Sequence, residues 1–266
     1  MEWALIYLGA GLVTGVIAGL LGVGGGLVMV PVLSWAFAAQ GFPAAYNIHF
    51  ALGTSLAVIV PTSLSSLRAH HAHGAVDWSL LRRMAPGIVL GTLLGGSISV
   101  WLPDRSLRLF FVLFLFYAAT QMLLGFKPKA SRGLPGALGL GVAGGVIGLV
   151  SSWVGIGGGT LSVPFQTWCN VSLHRAIGTS AAMGLPIAVA GALGYAASGQ
   201  ALGALPVWSW GFVYVPAFVG LAMGTVLTAP LGAQLAHRLP VAKLKKIFAA
   251  LLYLIAVRMA HGIWGG

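Results

Sequence analysis

The sequence predicts an all-α, polytopic membrane protein built from two inverted repeats. Three observations lead there: an apolar composition, long stretches without charge, and motifs that occur twice. Of the 266 residues, 58% are hydrophobic and 6% are charged, and the mean hydropathy is +0.96. Soluble domains carry about 25% charged residues, so most of this chain must be solvated by lipid. The composition excludes a soluble enzyme, a disordered protein and a nucleic-acid binder.

The excess of basic residues is better explained by the loops of a membrane protein than by binding to a negatively charged partner. Fourteen Lys and Arg stand against three Asp and Glu, and they lie singly or in small groups between apolar stretches. Such residues hold loops on the cytoplasmic side of a membrane. Cys169 is the single cysteine, which rules out an intrachain disulfide. No Lys or Arg precedes the first apolar run, so we expect 3–21 to be a retained helix.

The uncharged stretches are long enough for several membrane passes each. Residues 3–67, 133–174 and 176–237 contain no charged side chain, whereas about 20 apolar residues cross a bilayer. The sequence therefore predicts eight full spans plus two short half-helices, at 27–39 and 160–169, or else ten spans. The predicted helices are 3–21, 27–39, 50–67, 84–101, 107–125, 134–152, 160–169, 176–197, 207–228 and 243–263.

The motifs of the first five predicted helices recur in the second five. A Gly-x-Gly-Gly-Gly run with Pro five residues later occurs at 22–26 and 155–159. An Ala-(Leu/Ile)-Gly-Thr-Ser run occurs at 51–55 and 176–180. Duplicated halves are common in membrane transporters. The predicted organisation is a first repeat at 1–126, a cytoplasmic linker at 127–133 and a second repeat at 134–266.

Counting basic loop residues distinguishes two topologies. If 3–39 and 134–169 each cross the membrane once, with the N-terminus inside, cytoplasmic loops hold six Lys and Arg and external loops hold seven. If each unit is instead a hairpin that returns to one side, with the N-terminus outside, the counts are eleven and two. The positive-inside rule favours the hairpins. Each half then changes sides an odd number of times, which makes the repeats inverted.

The two glycine runs are the strongest candidates for a binding site. Broken backbone at membrane depth is tolerated where protein buries it or where it lines a polar cavity. The first amides of a following helix lack intrahelical acceptors and carry partial positive charge, which suits an anion. The alternative is that the glycines only permit close helix packing. The predicted substrate-binding glycines are Gly24, Gly25, Gly26, Gly157, Gly158 and Gly159.

Hydroxyl and imidazole side chains accompany the glycine runs. Thr54, Ser55, Thr179 and Ser180 could donate hydrogen bonds to an anion, or could bond back to the preceding helical turn. His49 and His174 occupy matching positions just before these motifs, where a proton-carrying or gating role competes with simple packing.

Other chemistry has little support in the sequence. His70, His71 and His73 match no metal motif, and we expect them in a solvated loop at 68–83. No metal or cofactor is predicted. All three carboxylates, Glu2, Asp77 and Asp104, lie outside the predicted spans, so none could carry protons or bind Na⁺ within the membrane.

The paired motifs resemble the TauE/SafE family, described as sulfite exporters and sulfonate uptake permeases. The resemblance extends from about residue 5 to residue 262. It implies a multi-pass inner-membrane transporter for sulfite, sulfoacetate or other organosulfonates.

These observations together predict an integral membrane secondary transporter that works by alternating access. Its expected partners are a small anionic substrate and the lipid bilayer, with no nucleic acid. A passive anion channel and a structural membrane subunit without transport are the alternatives. The sequence leaves open the substrate, the direction, the coupling ion and the oligomeric state, with a homodimer among the options.

Overall fold

The computed structural model describes residues 2–21, 25–125, 132–202, 205–236 and 241–264. Within these ranges the chain forms ten α-helices and one small hairpin. The helices are α1 (Glu2–Leu21), α2 (Gly26–Ala39), α3 (Asn47–Ala72), α4 (Trp78–Ile98), α5 (Asp104–Leu124), α6 (Ala137–Val154), α7 (Gly159–Trp168), α8 (Leu173–Gln200), α9 (Val215–Ala236) and α10 (Val241–Trp264). Strands β1 (Ser209–Trp210) and β2 (Val213–Tyr214) pair antiparallel before α9.

The helix lengths confirm an all-α polytopic fold. Eight of the described helices are long and apolar enough to span a bilayer. The other two, α2 and α7, have 14 and 10 residues. At about 1.5 Å per residue, neither reaches across a hydrocarbon core of about 30 Å. This is the predicted arrangement of eight full spans and two half-helices.

Four predicted helix boundaries, at 67, 84, 207 and 228, were wrong by five residues or more; the predicted end at 228 lies at Ala236 in α9. The segment predicted to open a helix at 207 instead forms the β-hairpin, whose turn uses Gly211 at φ +57°, and α9 begins at Val215. The helix predicted from 84 begins at Trp78, because the Asp77 carboxylate caps it by accepting from the Leu80 amide at 3.0 Å. Helix α3 continues to Ala72, so His70 and His71 are helical and not part of a loop.

Packing between the helices follows the repeat. Helix α1 packs along α9, and its counterpart α6 packs along α4. Helix α3 packs on α8, and α5 packs on α10. At their contact, Gly53 near the start of α3 faces Tyr195 near the end of α8, while Gly178 near the start of α8 faces Ala75 just beyond α3. The two central helices therefore run antiparallel.

Glycines at four-residue spacing allow these helices to touch through their backbones. A methyl group at Gly11 of α1 would lie 2.7 Å from the Leu221 carbonyl oxygen of α9. Methyl groups at Gly87 and Gly91 of α4 would collide with the carbonyl oxygens of Gly141 and Gly145 of α6. Close backbone approach through small residues is how helices associate in lipid. These glycines therefore have a structural role in helix packing.

Both ends of each glycine-broken unit lie at the same end of the molecule. The side-chain amide of Gln40, just after α2, donates to the Tyr7 hydroxyl of α1. The ring centroids of Trp3 and Trp35 are 6.5 Å apart. In the second unit, Arg132 before α6 lies over the Trp168 ring at the end of α7, 5.1 Å from its centroid. Each unit therefore has the shape of a hairpin.

The described residues define two ends of the helical bundle. The Asp104 face contains residues 40–49, 99–105 and 206–214, which are joined by the bond from the Ile48 amide to the Asp104 carboxylate at 2.7 Å. The His70 face contains residues 68–83 and 169–178, which are joined by the contact of Ala75 with Gly178. Basic residues concentrate on or next to the His70 face: Arg68, Arg82, Arg83, Arg132 and Arg175.

Candidate functional site

Both half-helices begin at a glycine in the left-handed conformation. Gly25 precedes α2 with φ 71°, and Gly158 precedes α7 with φ 80°. Gly155, which ends α6, has φ 67°. L-residues with side chains rarely adopt such angles, which explains the glycine at each point. The backbone amides of residues 159 and 160, at the start of α7, have no hydrogen-bond acceptor within the helix.

The two glycine breaks meet inside the bundle. Gly26 packs so closely on Gly155 that a methyl group there would collide with the Gly155 carbonyl oxygen. The same oxygen accepts a hydrogen bond from the Ser55 hydroxyl at 2.9 Å. In this arrangement Gly25, Gly26 and Ser55 contact other parts of the protein. The predicted site residue Gly24 lies outside the described residues.

A cavity of about 500 Å³ connects the second break with the His70 face. Its inner end is formed by Gly157 and Gly159, and its mouth by His70 and His73. Small and hydroxyl-bearing residues make up most of the remaining wall. They are Ala18, Gly19, Ile59, Thr62, Ser63, Ser65, Ser66, Ala69, Ser180, Ala181, Gly184, Ala229 and Pro230. Among the described residues of the lining there is no carboxylate, Lys or Arg, and their polar groups are hydroxyls, histidines and backbone.

Ser180 is the polar side chain beside the broken backbone. Its hydroxyl oxygen lies 2.7 Å from the Ser162 hydroxyl and 2.8 Å from the Gln166 side-chain amide nitrogen. Ser162 and Gln166 both project from α7 and are fully buried. Within the described residues, the hydroxyls of Ser151 and Thr160 and the amide oxygen of Gln166 are buried without a hydrogen-bond partner. Buried polar groups without partners are uncommon and suggest a place for a ligand or water.

The two threonines of the repeated motif face away from the cavity. The Thr54 hydroxyl accepts from the Tyr214 amide at 3.0 Å, and the Thr179 hydroxyl accepts from the Asp77 amide at 2.9 Å. Both threonines are fully buried. These contacts link each central helix to the segment ahead of α9 or α4, which is a structural role and differs from the predicted one.

The histidines are distributed differently from the prediction. His49 is buried on the Asp104 face with Nε2 2.8 Å from the Ser99 carbonyl oxygen, away from the cavity. His174 is exposed on the His70 face and lies within electrostatic range of His70. His70, predicted to sit in a solvated loop, lines the cavity. No group of three metal-ligating side chains occurs in the described part of the chain.

Aromatic rings close the bundle between the cavity and the Asp104 face. Phe42 stacks on Phe37 at 4.6 Å and contacts Phe50 and Tyr214 edge-on, each at 5.1 Å. Tyr7 joins the cluster through Tyr214, at 6.3 Å. We call these five residues the aromatic plug. Along α3, every residue from 47 to 59 is buried, and the cavity lining begins at Ile59.

The polar residues of α7 were not identified from the sequence, although a signal was present. Aligning the two glycine runs pairs Thr160, Ser162 and Gln166 with Leu27, Met29 and Leu33. Only the second half-helix therefore carries buried polar side chains at these positions. A position-by-position comparison of the two repeats reveals this asymmetry, whereas motif matching does not.

Eight spanning helices, two half-helices that begin after a glycine, and a cavity that leads from the His70 face to broken backbone define a class: multi-pass membrane transporters. The sequence profile described as "Sulfite exporter TauE/SafE" matches residues 7–259, and the chain belongs to this family.

Relatives from distant organisms carry names that agree with this class. A "Probable membrane transporter protein" of Haemophilus influenzae is 36% identical over 260 residues, covering 96% of this chain and 97% of the relative. "Probable membrane transporter protein YdhB" of Bacillus subtilis is 27% identical, covering 87% and 89%. A relative of the same description in Methanocaldococcus jannaschii is 24% identical, covering 94% and 92%. No solved structure matches the chain.

Proposed function

We propose that the protein is a secondary transporter of the bacterial or archaeal inner membrane that moves small sulfur-containing oxyanions, such as sulfite or organosulfonates. The observation that carries the proposal is the cavity that leads from His70 to the broken backbone at Gly157 and Gly159. Its volume falls within the range of about 300–1,000 Å³ that is usual for small-molecule sites. The family's description supplies the sulfur chemistry.

The groups at the inner end of the cavity favour an anion. The amides of residues 159 and 160 point from the start of α7 with the positive end of the helix dipole. Ser180 adds a hydroxyl, and the lining residues that the structure describes include no carboxylate to oppose negative charge. The binding set that we propose is Gly157, Gly159 and Ser180, because these are the predicted site residues in the described part of the chain that line the cavity.

Alternating access fits the unequal closure of the two ends. The cavity opens at the His70 face and is separated from the Asp104 face by the aromatic plug. The arginines of the His70 face make it the cytoplasmic one by the positive-inside rule. The conformation is then inward-open. A passive channel needs a continuous path, which the aromatic plug opposes.

The direct test is exchange of radiolabelled sulfite in proteoliposomes that contain the purified protein. We expect saturable exchange that unlabelled sulfite or sulfoacetate on the opposite side accelerates, because a carrier returns faster when loaded. Absence of exchange with sulfite, sulfoacetate and other organosulfonates, in protein that is folded and inserted, would reject the proposal. A large, non-saturating electrical conductance in planar bilayers would favour a channel instead.

A further inference from the structure

We propose that Ser180 is the residue that selects for negative charge, because Gln166 and Ser162 convert its hydroxyl into a hydrogen-bond donor toward the cavity. The inference rests on the proposed function and names the residues that determine its specificity. It also implies that the serines of the two repeated motifs contribute unequally to recognition.

The orientation of Gln166 fixes one side of Ser180. The side-chain nitrogen of Gln166 lies 2.8 Å from the Ser180 oxygen and 3.4 Å from the Ala176 carbonyl oxygen. A carbonyl oxygen can only accept, so the atom that faces it is the NH₂ group of the amide. Gln166 therefore donates to Ser180 and occupies one of the two acceptor positions of its hydroxyl.

Ser162 has one proton and two acceptors within reach. Its hydroxyl lies 2.9 Å from the Gly158 carbonyl oxygen and 2.7 Å from the Ser180 oxygen. With no ligand, Ser162 can donate to Gly158 and accept the proton of Ser180. With an anion in the cavity, Ser180 donates to the anion and Ser162 turns to donate to Ser180. The Gly158 oxygen keeps its bonds from the amides of Leu161 and Ser162, at 3.1 and 2.8 Å.

With an anion bound, Ser180 presents a donor and no acceptor to the cavity. Its oxygen then accepts from Gln166 and from Ser162, which fills both lone pairs. Its remaining capacity is one O–H group directed to the cavity, which it lines. An oxyanion accepts that proton, and hydrogen bonds to a charged partner are the stronger kind. A cation can use only the other arrangement, in which Ser180 donates to Ser162 and one lone pair of its neutral oxygen stays free.

The first repeat has no equivalent chain of hydroxyls. At the position that matches Ser180, Ser55 donates to the Gly155 carbonyl oxygen. Met29 and Leu33 stand where the second repeat has Ser162 and Gln166, and both are fully buried. The duplicated serines have therefore diverged: Ser55 holds the two breaks together, and Ser180 faces the substrate.

The test combines exchange kinetics with a binding measurement on the purified protein. Ser180→Ala should raise the KM for sulfite about tenfold or more, the effect of losing a hydrogen bond to a charged group. Gln166→Leu should raise it by a smaller factor, because Ser180 keeps its proton but loses the donor that occupies one side of its oxygen. Ser162→Ala should not raise the KM, because the proton of Ser180 then has no competing protein acceptor. Thr167→Val is the matched control on the same helix, since its hydroxyl bonds only to carbonyls of its own turn.

Binding is measured as the rise in the thermal unfolding midpoint with sulfite and, separately, with choline as a cationic probe. We expect stabilisation by sulfite in the wild type and in Thr167→Val, and its loss in Ser180→Ala. Ser180→Thr, which keeps the hydroxyl, should restore it, so a folding defect can be separated from a binding defect. Wild-type KM in both Ser180→Ala and Gln166→Leu, with exchange intact, would overturn this inference alone. Neither exchange nor stabilisation in the wild type would instead refute the proposed function.

Discussion

The hydroxyl of Thr179 accepts a hydrogen bond from the backbone amide of Asp77, across the interface between the two halves of the chain, at 2.9 Å. The equivalent contact for the first half is made by Thr54, whose hydroxyl accepts from the backbone amide of Tyr214 at 3.0 Å. The preceding glycines complete the fit: methyl groups at Gly53 and Gly178 would lie 2.6 and 2.5 Å from the carbonyl oxygens of Phe212 and Ala75. The repeated Gly-Thr pair is thus a clamp between the repeats.

Replacing a clamp threonine should reduce stability. In Thr179→Val the Asp77 amide loses its acceptor while the side-chain volume is nearly kept, and the same holds for Thr54→Val with Tyr214. We expect a cost of about 1 kcal/mol for each variant, with larger values if the amide becomes inaccessible to water. Thermal unfolding in detergent, followed by tryptophan fluorescence, measures the change. Thr167→Val, whose hydroxyl bonds to carbonyl oxygens of its own turn, is the control, and an equal loss there would contradict the role of the clamp.

Alanine at an interhelical glycine should be far more damaging than alanine at an open one. A methyl group at Gly91 of α4 would collide with the Gly145 carbonyl oxygen, whereas one at Gly141 of α6 meets nothing within 4 Å. We expect Gly91→Ala to lower the unfolding midpoint strongly. Gly141→Ala should be neutral or stabilising by up to about 1 kcal/mol, because alanine favours helix. Similar midpoints for the two variants would contradict the proposed close approach of α4 and α6.

Breaking the bond between Ser55 and Gly155 should loosen the junction of the two half-helices. Ser55→Ala leaves the buried Gly155 carbonyl oxygen without its side-chain donor at 2.9 Å. The expected cost is about 1–2 kcal/mol, since an unsatisfied buried acceptor is penalised by its lost hydration. Hydrogen exchange should accelerate at the amides around residues 155–160 and remain unchanged in α5. An unchanged exchange rate around the second glycine run would show that the bond does not hold this junction.

The sequence could predict the elements but not the partners of the polar side chains. Hydropathy located the eight spans, and the glycine runs located the half-helices, because both follow from local composition. Thr54 and Ser55 looked equivalent to Thr179 and Ser180 because their neighbours in sequence are the same. Their roles depend on which distant segment packs against them, and a motif does not encode that. His70 was misplaced because α3 extends a further turn, which brings this side chain to the cavity.

Residues that line the cavity should be reachable by water-soluble reagents from the His70 face. The native Cys169 would be replaced by serine first; burial raises the pKa of its thiol, against a smaller opposite effect of Arg132, so it reacts slowly in any case. In that background, Ser63→Cys places a thiol on the cavity wall. We expect modification by a charged methanethiosulfonate from the cytoplasmic side, with protection by sulfoacetate, which unlike sulfite does not react with the reagent. Thr92→Cys, which is fully buried in α4 and off the cavity, should remain unmodified.

The aromatic plug should control access from the opposite side. Phe42 joins the end of α2 to α3 and to β2 through its contacts with Phe37, Phe50 and Tyr214. Removing its ring forfeits the packing of three aromatic pairs, each worth about 0.5–1.5 kcal/mol beyond area burial. In the Ser63→Cys background, Phe42→Ala should therefore permit reagent added outside to modify the thiol introduced into the cavity wall. Phe110→Ala removes a ring that packs on Trp153 elsewhere, at 5.4 Å, and should leave the outer side closed. If external reagent reaches the introduced thiol equally in both variants, the plug is not the barrier; if it reaches the thiol in neither, the barrier extends beyond Phe42 along the buried stretch of α3.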